Sequence, residues 1–354
     1  MFNITASIDL SKLEPLNKEG KNSSVFSYHD DQLGKDFIVK QISKQKVYEQ
    51  YGSDYLNNLF SESKILYSNR HPNIVDIQYA SYDNDNVYLS MPKYKNGSLN
   101  ALINSRFLTV REILKLSLEF LSGLHYVHTN DLIHFDIKPT NILIDDNGKA
   151  VLTDFGLAKY VNNYGIAIPD MIYSAHKPPE HFKNLELTTK SDIYQAGITL
   201  YRLCNGNNVF CKQFEDSDNW RNDVIKGKFP DRKFYLPHIP VKLQKIINNA
   251  INIDPDKRYD TVLEMINQLS NIDENLDWKY VVEDDNESTW SKLNEKSTHD
   301  DCIRLSKIGH DKYNVSKVKI NLEDSKVINY TLPKCKNLEL TEAYKLVANI
   351  IKSC

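Results

Sequence analysis

Apolar and polar positions divide the chain into stretches of different character. From Ser24 to Ile42, two β-like runs (Val25 to Tyr28 and Asp36 to Ile42) flank the polar stretch His29 to Lys35, as the arms of a hairpin do. A helical pattern follows from about Ser53 to Ser68, and two further strand-like runs, Ile74 to Tyr82 and Asn86 to Met91, flank Asp83-Asn84-Asp85. From Ser98 to Asn130 the residues Leu114, Leu118, Leu121 and Leu124 recur at helical spacing. Asn141 to Thr153 reads as a hairpin around the tight-turn pair Asn147-Gly148, and beyond Pro179 the pattern is mostly helical to about Asn271. From about Asn275 the character changes again. Trp278 to Val282, Cys302 to Lys307, Tyr313 to Ile320 and Lys326 to Leu332 look like strands, and a closing helix with Thr341 as its expected N-cap presents Tyr344, Val347, Ile350 and Ile351.

Composition narrows the class. With 354 residues, 41% hydrophobic and 26% charged, the chain can bury a sizeable core and is far from the signature of disorder. The formal net charge is only -3 with both signs interleaved, so nothing marks an electrostatic footprint for nucleic acid or an anionic membrane. Five scattered cysteines without a C-x-x-C pair read as reduced thiols of a cytoplasmic protein rather than as a zinc site. Met1 to Leu10 lacks the basic-then-apolar order of a secretory signal, and no run of about 18 uncharged apolar residues suggests a membrane span. The sequence carries no signal for an oligomeric state.

The chemistry concentrates in His134-Phe135-Asp136-Ile137-Lys138-Pro139-Thr140-Asn141, followed thirteen residues after Asn141 by Asp154-Phe155-Gly156. Taken alone, Asp-x-Lys-Pro is a solvated turn and Asp-x-Gly a common turn unit. Together, spaced around a hairpin, they resemble the eukaryotic-type (Hanks-type) Ser/Thr protein kinase family. Phosphoryl transfer asks a protein for metals on the phosphates, a hydroxyl held in line and cations against developing charge. The resemblance implies that Asp136 accepts the hydroxyl proton, Lys138 neutralises the γ-phosphate, and Asn141 and Asp154 coordinate Mg²⁺.

Upstream, Phe37-Ile38-Val39-Lys40 sets a Lys in an apolar strand, where an unpaired ammonium is costly without a nearby carboxylate. Glu62 in the helical stretch Ser61 to Leu66 is the expected partner, the alternative being a Lys that snorkels from a strand edge. In the family such a Lys grips the α/β-phosphates of ATP. The glycine-rich loop is the weakest match, because Lys18-Glu19-Gly20-Lys21-Asn22-Ser23-Ser24-Val25 keeps one glycine of G-x-G-x-x-G-x-V. The resemblance implies that ATP contacts Gly20, Ser23, Val25, Ile38, Lys40, the hinge residues Met91, Lys93 and Tyr94, Leu143 and Asp154. Ile38 departs from the small Ala usual above the adenine.

Downstream, Pro178-Pro179-Glu180 looks like the family's A-P-E, Asp192 like its helix-start Asp, and Arg258 like the Arg that pairs with that Glu. An apolar stack from Leu66 through Ile77 and His134 to Phe155 matches its regulatory spine. Lys138 favours Ser/Thr over Tyr as acceptor, although Ile172 to Lys177 lacks the G-T-x-x-Y pattern that contacts the acceptor residue. Phe135 stands where most members have the Arg that pairs with a phosphorylated activation loop, and Leu157 to Ile172 contains no Ser or Thr, only Tyr160 and Tyr164. These two absences predict activity independent of activation-loop phosphorylation, with Tyr173 and Ser174 as remaining phosphosites.

The expected fold is α+β and bilobal: a β-rich N-lobe over residues 10-91, a mainly helical C-lobe over 92-271, and a small C-terminal α/β appendage over 275-354 of unassigned role. The expected activity is a protein kinase acting on a protein substrate with ATP and Mg²⁺. Small-molecule phosphotransferases of the aminoglycoside or choline type share the Asp loop and metal Asp but typically lack the Lys-Pro, Asp-Phe-Gly and A-P-E-like combination. The competing classes are a pseudokinase scaffold, suggested by the eroded glycine loop, and a partner-binding module in the appendage.

Overall fold

The computed structural model describes residues 12–16, 23–51, 61–68, 70–169, 172–293, 298–309, 311–324 and 326–353. An antiparallel five-stranded sheet in the order β1-β2-β3-β5-β4 forms the N-terminal part, from β1 Glu14–Leu16, β2 Ser23–Asp30, β3 Lys35–Ser43, β4 Tyr79–Tyr82 and β5 Asn86–Pro92. The β2–β3 turn is closed by the Asp30 carboxylate, which accepts the amides of Gln32 and Leu33, and by Gly34 at φ 60°. Among the described residues, helices α1 Lys44–Tyr51 and α2 Ser61–Ser68 lie between β3 and β4 in the chain.

The helical stretch expected over Ser53 to Ser68 is helical from Ser61 to Ser68, and its first part lies outside the described residues. Two expectations here need correction. The strand expected from Ile74 begins only at Tyr79. Residues 73 to 75 are committed elsewhere: Val75 N–H donates to the Leu152 carbonyl, Leu152 N–H to that of Asn73, and the Asn73 side chain to that of Ala150. The apolar run Ile74 to Ile77 is therefore the seam to the second lobe. The helical periodicity from Ser98 to Asn130 also belongs to two helices, α3 Leu99–Ser105 and α4 Val110–Thr129. Arg106 is extended between them, and Thr109 with Glu112 closes a capping box that starts α4 afresh.

Around α4 the second lobe assembles from the short pairs β6 Leu132–Ile133 with β9 Lys159–Tyr160 and β7 Ile142–Ile144 with β8 Ala150–Leu152. Helices α5 Pro179–Phe182, α6 Thr189–Asn205, α7 Asn207–Glu215, α8 Trp220–Ile225, α9 Val241–Ala250 and α10 Val262–Leu269 follow. α6 is buried continuously from Ser191 to Asn205, which makes it an axis of the second lobe. Gly197 lets α9 approach closely, since a Cβ there would lie 2.6 Å from Ile251.

The C-terminal part is an antiparallel meander, β10 Lys279–Asp284, β11 Glu287–Leu293, β12 His299–Gly309, β13 Lys312–Asn321 and β14 Val327–Tyr330, closed by α11 Leu340–Lys352. β11 was not legible because only Trp290 along it is buried, so its pattern is almost wholly polar. Thr341 lies inside α11 rather than capping it; the Glu339 amide donates to the Glu342 carboxylate one turn on.

This sheet shares its core with the helical lobe. Trp278 and Trp290 are fully buried, and the Tyr280 ring stacks on Trp290 at 4.7 Å and meets Phe107 edge-on at 4.6 Å. Trp290 Nε1–H donates to Nδ1 of His238, whose ring burial holds neutral with a pKa of about 4. Arg111 grips Asp277 in a bidentate pair at 2.6 and 2.8 Å. Removing the buried indole with Trp290→Ala is expected to cost about 3–5 kcal/mol. Urea denaturation followed by circular dichroism checks this: one shared transition at lower midpoint is expected, whereas a helical lobe that keeps its midpoint while the appendage melts alone would contradict the shared core.

Candidate active site

The loop between β6 and β7 is held by α6. Asp192, fully buried, accepts the amides of His134 (2.8 Å) and Phe135 (2.7 Å), and His128 Nε2 lies 2.8 Å from the same carboxylate. One turn on, Gln195 accepts the Ile137 amide at 2.9 Å and donates to the Phe135 carbonyl at 2.8 Å. Phe135 is thereby held at φ 63°, in the left-handed region that non-glycine residues rarely occupy. The twist separates two neighbouring side chains: Phe135 turns into a wholly buried cluster, and Asp136 joins the polar groups.

Asp136 Oδ2 accepts the Lys138 ammonium at 2.8 Å and the Asn141 side-chain amide at 2.7 Å. Its other oxygen, Oδ1, is buried without a hydrogen-bond partner. Asn141 stands on the short 3₁₀ turn Pro139–Asn141; its amide nitrogen also donates to the Asp136 carbonyl, which leaves its side-chain oxygen as an acceptor. The Asn141 carbonyl accepts the Thr153 amide at 2.9 Å, so the residue before Asp154 is fixed to the same loop.

His134 completes the frame. It accepts the Asp136 amide through Nδ1, so Nε2 carries the proton and donates to the Thr153 carbonyl; burial disfavours its charged form. Its ring packs on Phe155 at 4.6 Å, and Leu66, Ile77 and Phe155 are all buried. The His134–Phe155 end of the stack read from the sequence is in contact, with Asp192 holding the His134 backbone.

Asp154, at φ 62°, keeps 42% of its side chain exposed, and Lys40 Nζ donates to its carboxylate at 2.8 Å. The ammonium holds that carboxyl down to about 2, against the opposing effect of burial. On the sheet, Val25 pairs with Lys40, and Ile38 with Ser27 and Met91. Because residues opposite one another share a face, Ser23, Val25, Ile38, Lys40 and Met91 line one side of the sheet. Tyr94 packs half-buried against the core, while Lys93 turns its ammonium back to Ser27 Oγ at 2.8 Å. Leu143 is half-buried between two fully buried neighbours, Ile142 and Ile144. Gly20 lies outside the described residues, and so does the side chain of Glu62, whose backbone belongs to α2.

Behind the site, Glu180 and Arg258 form a bidentate pair at 2.7 Å on both contacts, both nearly fully buried, and Ser191 Oγ donates to the same carboxylate. Sequence reasoning missed Gln195, because a lone Gln in a helix carries no chemical signature; its position three residues after Asp192, on the same face, was the available clue. It also missed His176 and Arg202, taken up below.

Among the described residues no three His, Cys, Asp or Glu side chains gather as a metal cluster, and no helix is long and apolar enough to cross a membrane. Residues 18–269 match the protein kinase domain family. The serine/threonine-protein kinase PrkC of Bacillus subtilis is 28% identical over 266 residues, 73% of this chain and 41% of its own length. A probable serine/threonine-protein kinase of Clostridium acetobutylicum is 26% identical over 290 residues, 78% of this chain and 41% of its own. The tyrosine-protein kinase csk-1 of Caenorhabditis elegans is 30% identical over 162 residues, 45% of this chain and 30% of its own. The chain thus spans about two fifths of the length of the two bacterial relatives.

The depressed Asp154 carboxyl gives a sign-defined pH behaviour. Its pairing with Lys40 contributes fully above the ordinary carboxyl value of 3.8 and is lost as pH falls through about 2. Lys40→Met is expected to return the Asp154 titration to the ordinary range or above it, read by carboxyl-carbon NMR; a titration left near its low value would contradict the assignment of Lys40 as the cause.

Proposed function

We propose, on the premise that the chain belongs to the protein kinase family, that it transfers the γ-phosphoryl group of ATP to Ser or Thr hydroxyls of a protein substrate. The observation that carries this reading is the buried, unpartnered Asp136 Oδ1 beside Lys138 and Asn141. A polar atom left without a partner in such a site calls for a donor, and an acceptor hydroxyl supplies one. As the hydroxyl oxygen bonds to phosphorus and the bond to the departing ADP breaks, the hydroxyl proton passes to Asp136. Lys138 stands against the charge of the transferred group, and Lys40, with Glu62 as helix partner, against the α- and β-phosphates.

The Asp154 carboxylate and the side-chain oxygen of Asn141, which accepts the Thr140 hydroxyl at 3.3 Å, would suit Mg²⁺, an ion that takes one or two protein oxygens and leaves its other positions to phosphate and water. Bound there, the ion neutralises charge on the β- and γ-phosphates. Ser23, Val25, Ile38 and Met91 on one sheet face, with Gly20, Tyr94 and Leu143, enclose the nucleotide, and Lys93 contributes through its backbone, its side chain being engaged on Ser27. We assign residues 10–91 and 92–271 to the two lobes and 275–354 to an appendage fixed on the second. The four described cysteines are free thiols, which suits work in the cytoplasm.

Activity does not depend on activation-loop phosphorylation in this reading. Phe135 packs with Ile133, Ala167, Ile172 and Leu187, with Leu157 and Val161 alongside, so apolar burial takes the place of an Arg–phosphate pair. Asn162 organises the tip by accepting the amides of Tyr164 and Ile166 through its side chain, and Gly165 completes the turn at φ 74°. The scaffold reading is disfavoured because Lys40 is paired with Asp154 and Asp136 with Lys138 and Asn141, the two groups being joined through the Thr153 amide, rather than standing as scattered survivors.

Asp136→Asn keeps the shape and removes the base, so phosphate incorporation from labelled Mg-ATP is expected to fall about 10²–10⁴-fold with ATP binding retained. Unchanged incorporation would sink the proposed role. Separately, exhaustive phosphatase treatment of purified enzyme is expected to leave initial velocity within about twofold, judged against RT-scale effects; a loss of most activity would contradict the apolar anchoring of the loop.

A further inference from the structure

Lys138 is held from two sides. One N–H donates to Asp136 Oδ2, and the ammonium lies 4.8 Å from the ring centroid of Tyr173, in the segment that precedes α5. A Lys side chain has a flexible stem, and two contacts in different directions remove most of its freedom. The choice of an aromatic face matters chemically. A carboxylate there would neutralise the ammonium, and a hydroxyl or carbonyl would occupy one of its N–H groups. A π face attracts the cation through its quadrupole and leaves both its charge and its remaining donors for a phosphate.

Tyr173 is itself placed by the catalytic loop. It leads into the 3₁₀ turn Ser174–His176, and its ring packs on that of His176 at 5.6 Å. His176, fully buried, donates from Nδ1 to the carbonyl of Ile137, the residue between Asp136 and Lys138, and accepts Arg202 Nη1 of α6 through Nε2. Burial and the adjacent guanidinium both keep this imidazole neutral, as its two hydrogen bonds require. One short turn therefore ties the activation segment to the catalytic loop twice, once at the Ile137 carbonyl and once at the Lys138 ammonium. The Tyr173 ring remains 46% exposed, so it borders the open side of the Asp136–Lys138 pair.

We propose that Tyr173 is a positioning residue for the transfer step, aiming Lys138 at the reacting phosphoryl group through the face of its ring. The inference rests on the proposed role of Lys138 and deepens it by naming the side chain that sets its direction. The test is a graded series at this half-exposed position, Tyr173→Trp, Tyr173→Phe, Tyr173→Leu and Tyr173→Met, assayed in the full chain with Mg-ATP and casein. Thermal melting of each variant confirms that it is folded.

Turnover is expected to fall in the order Trp, Phe, then Leu and Met, the ring-free pair lying about five- to twentyfold below Phe, with KM for ATP unchanged in all four. A merely structural role would make the loss track bulk or melting temperature instead of the presence of a ring. Leu or Met within twofold of Phe at equal melting temperature overturns the inference while leaving the reading of the site intact. An unaltered chain that transfers no phosphate to casein or to itself overturns both.

Discussion

A single buried carboxylate sets the geometry on which the rest depends. Asp192, in the first turn of α6, receives the amides of His134 and Phe135 and lies against His128. A buried charge is tolerable only where such donors surround it, and removing them would leave it uncompensated at a cost of several kcal/mol. Holding two successive amides on one carboxylate keeps the chain at positive φ at Phe135, which costs about 1–2 kcal/mol for an L-residue. The arrangement sends Phe135 toward Ala167, Ile172 and Leu187 and Asp136 toward Lys138 and Asn141, so the apolar and polar halves of the candidate site descend from one clamp.

From that clamp the polar site and the apolar anchor extend in opposite directions. On the polar side, Lys138 and Asn141 meet on Asp136 and Lys40 meets Asp154, the two groups tied through the Thr153 amide on the Asn141 carbonyl, with one Asp136 oxygen left over. Toward the helical lobe, burial of Phe135 against Ala167, Ile172 and Leu187 organises a segment that carries no Ser or Thr between Leu157 and Ile172. The same lobe is extended at its far end by Trp278, Tyr280 and Trp290, so the C-terminal sheet shares a core with the helices that present the site.

The proposed site was legible because phosphoryl transfer demands particular side chains at short spacing; in the fold Lys138 and Asn141 meet on Asp136, and Asp154 pairs with Lys40. The lobes were legible from periodicity. What escaped was set by contacts distant in sequence: Ile74 and Val75 read as strand because they are apolar, yet they are buried against β8. The break after Ser105 was hidden under continuous helical periodicity, although the Thr109-x-x-Glu112 box announced a new start. β11 is polar apart from Trp290 and Leu293, with most of its residues only half-buried, and so lacks any alternation to read. Gln195 and His176, and the contact of Tyr173 with Lys138, escaped for another reason. They lie in whom the side chains touch, and ordinary residue types carry no mark of a partner thirty-five to sixty positions away.

The central claim is that these side chains move a phosphoryl group onto an aliphatic hydroxyl. Phosphoamino-acid analysis of the protein products formed from γ-labelled Mg-ATP tests it most directly. The account predicts label in phosphoserine and phosphothreonine; label confined to phosphotyrosine, or none in any protein while ATP binds, would contradict it.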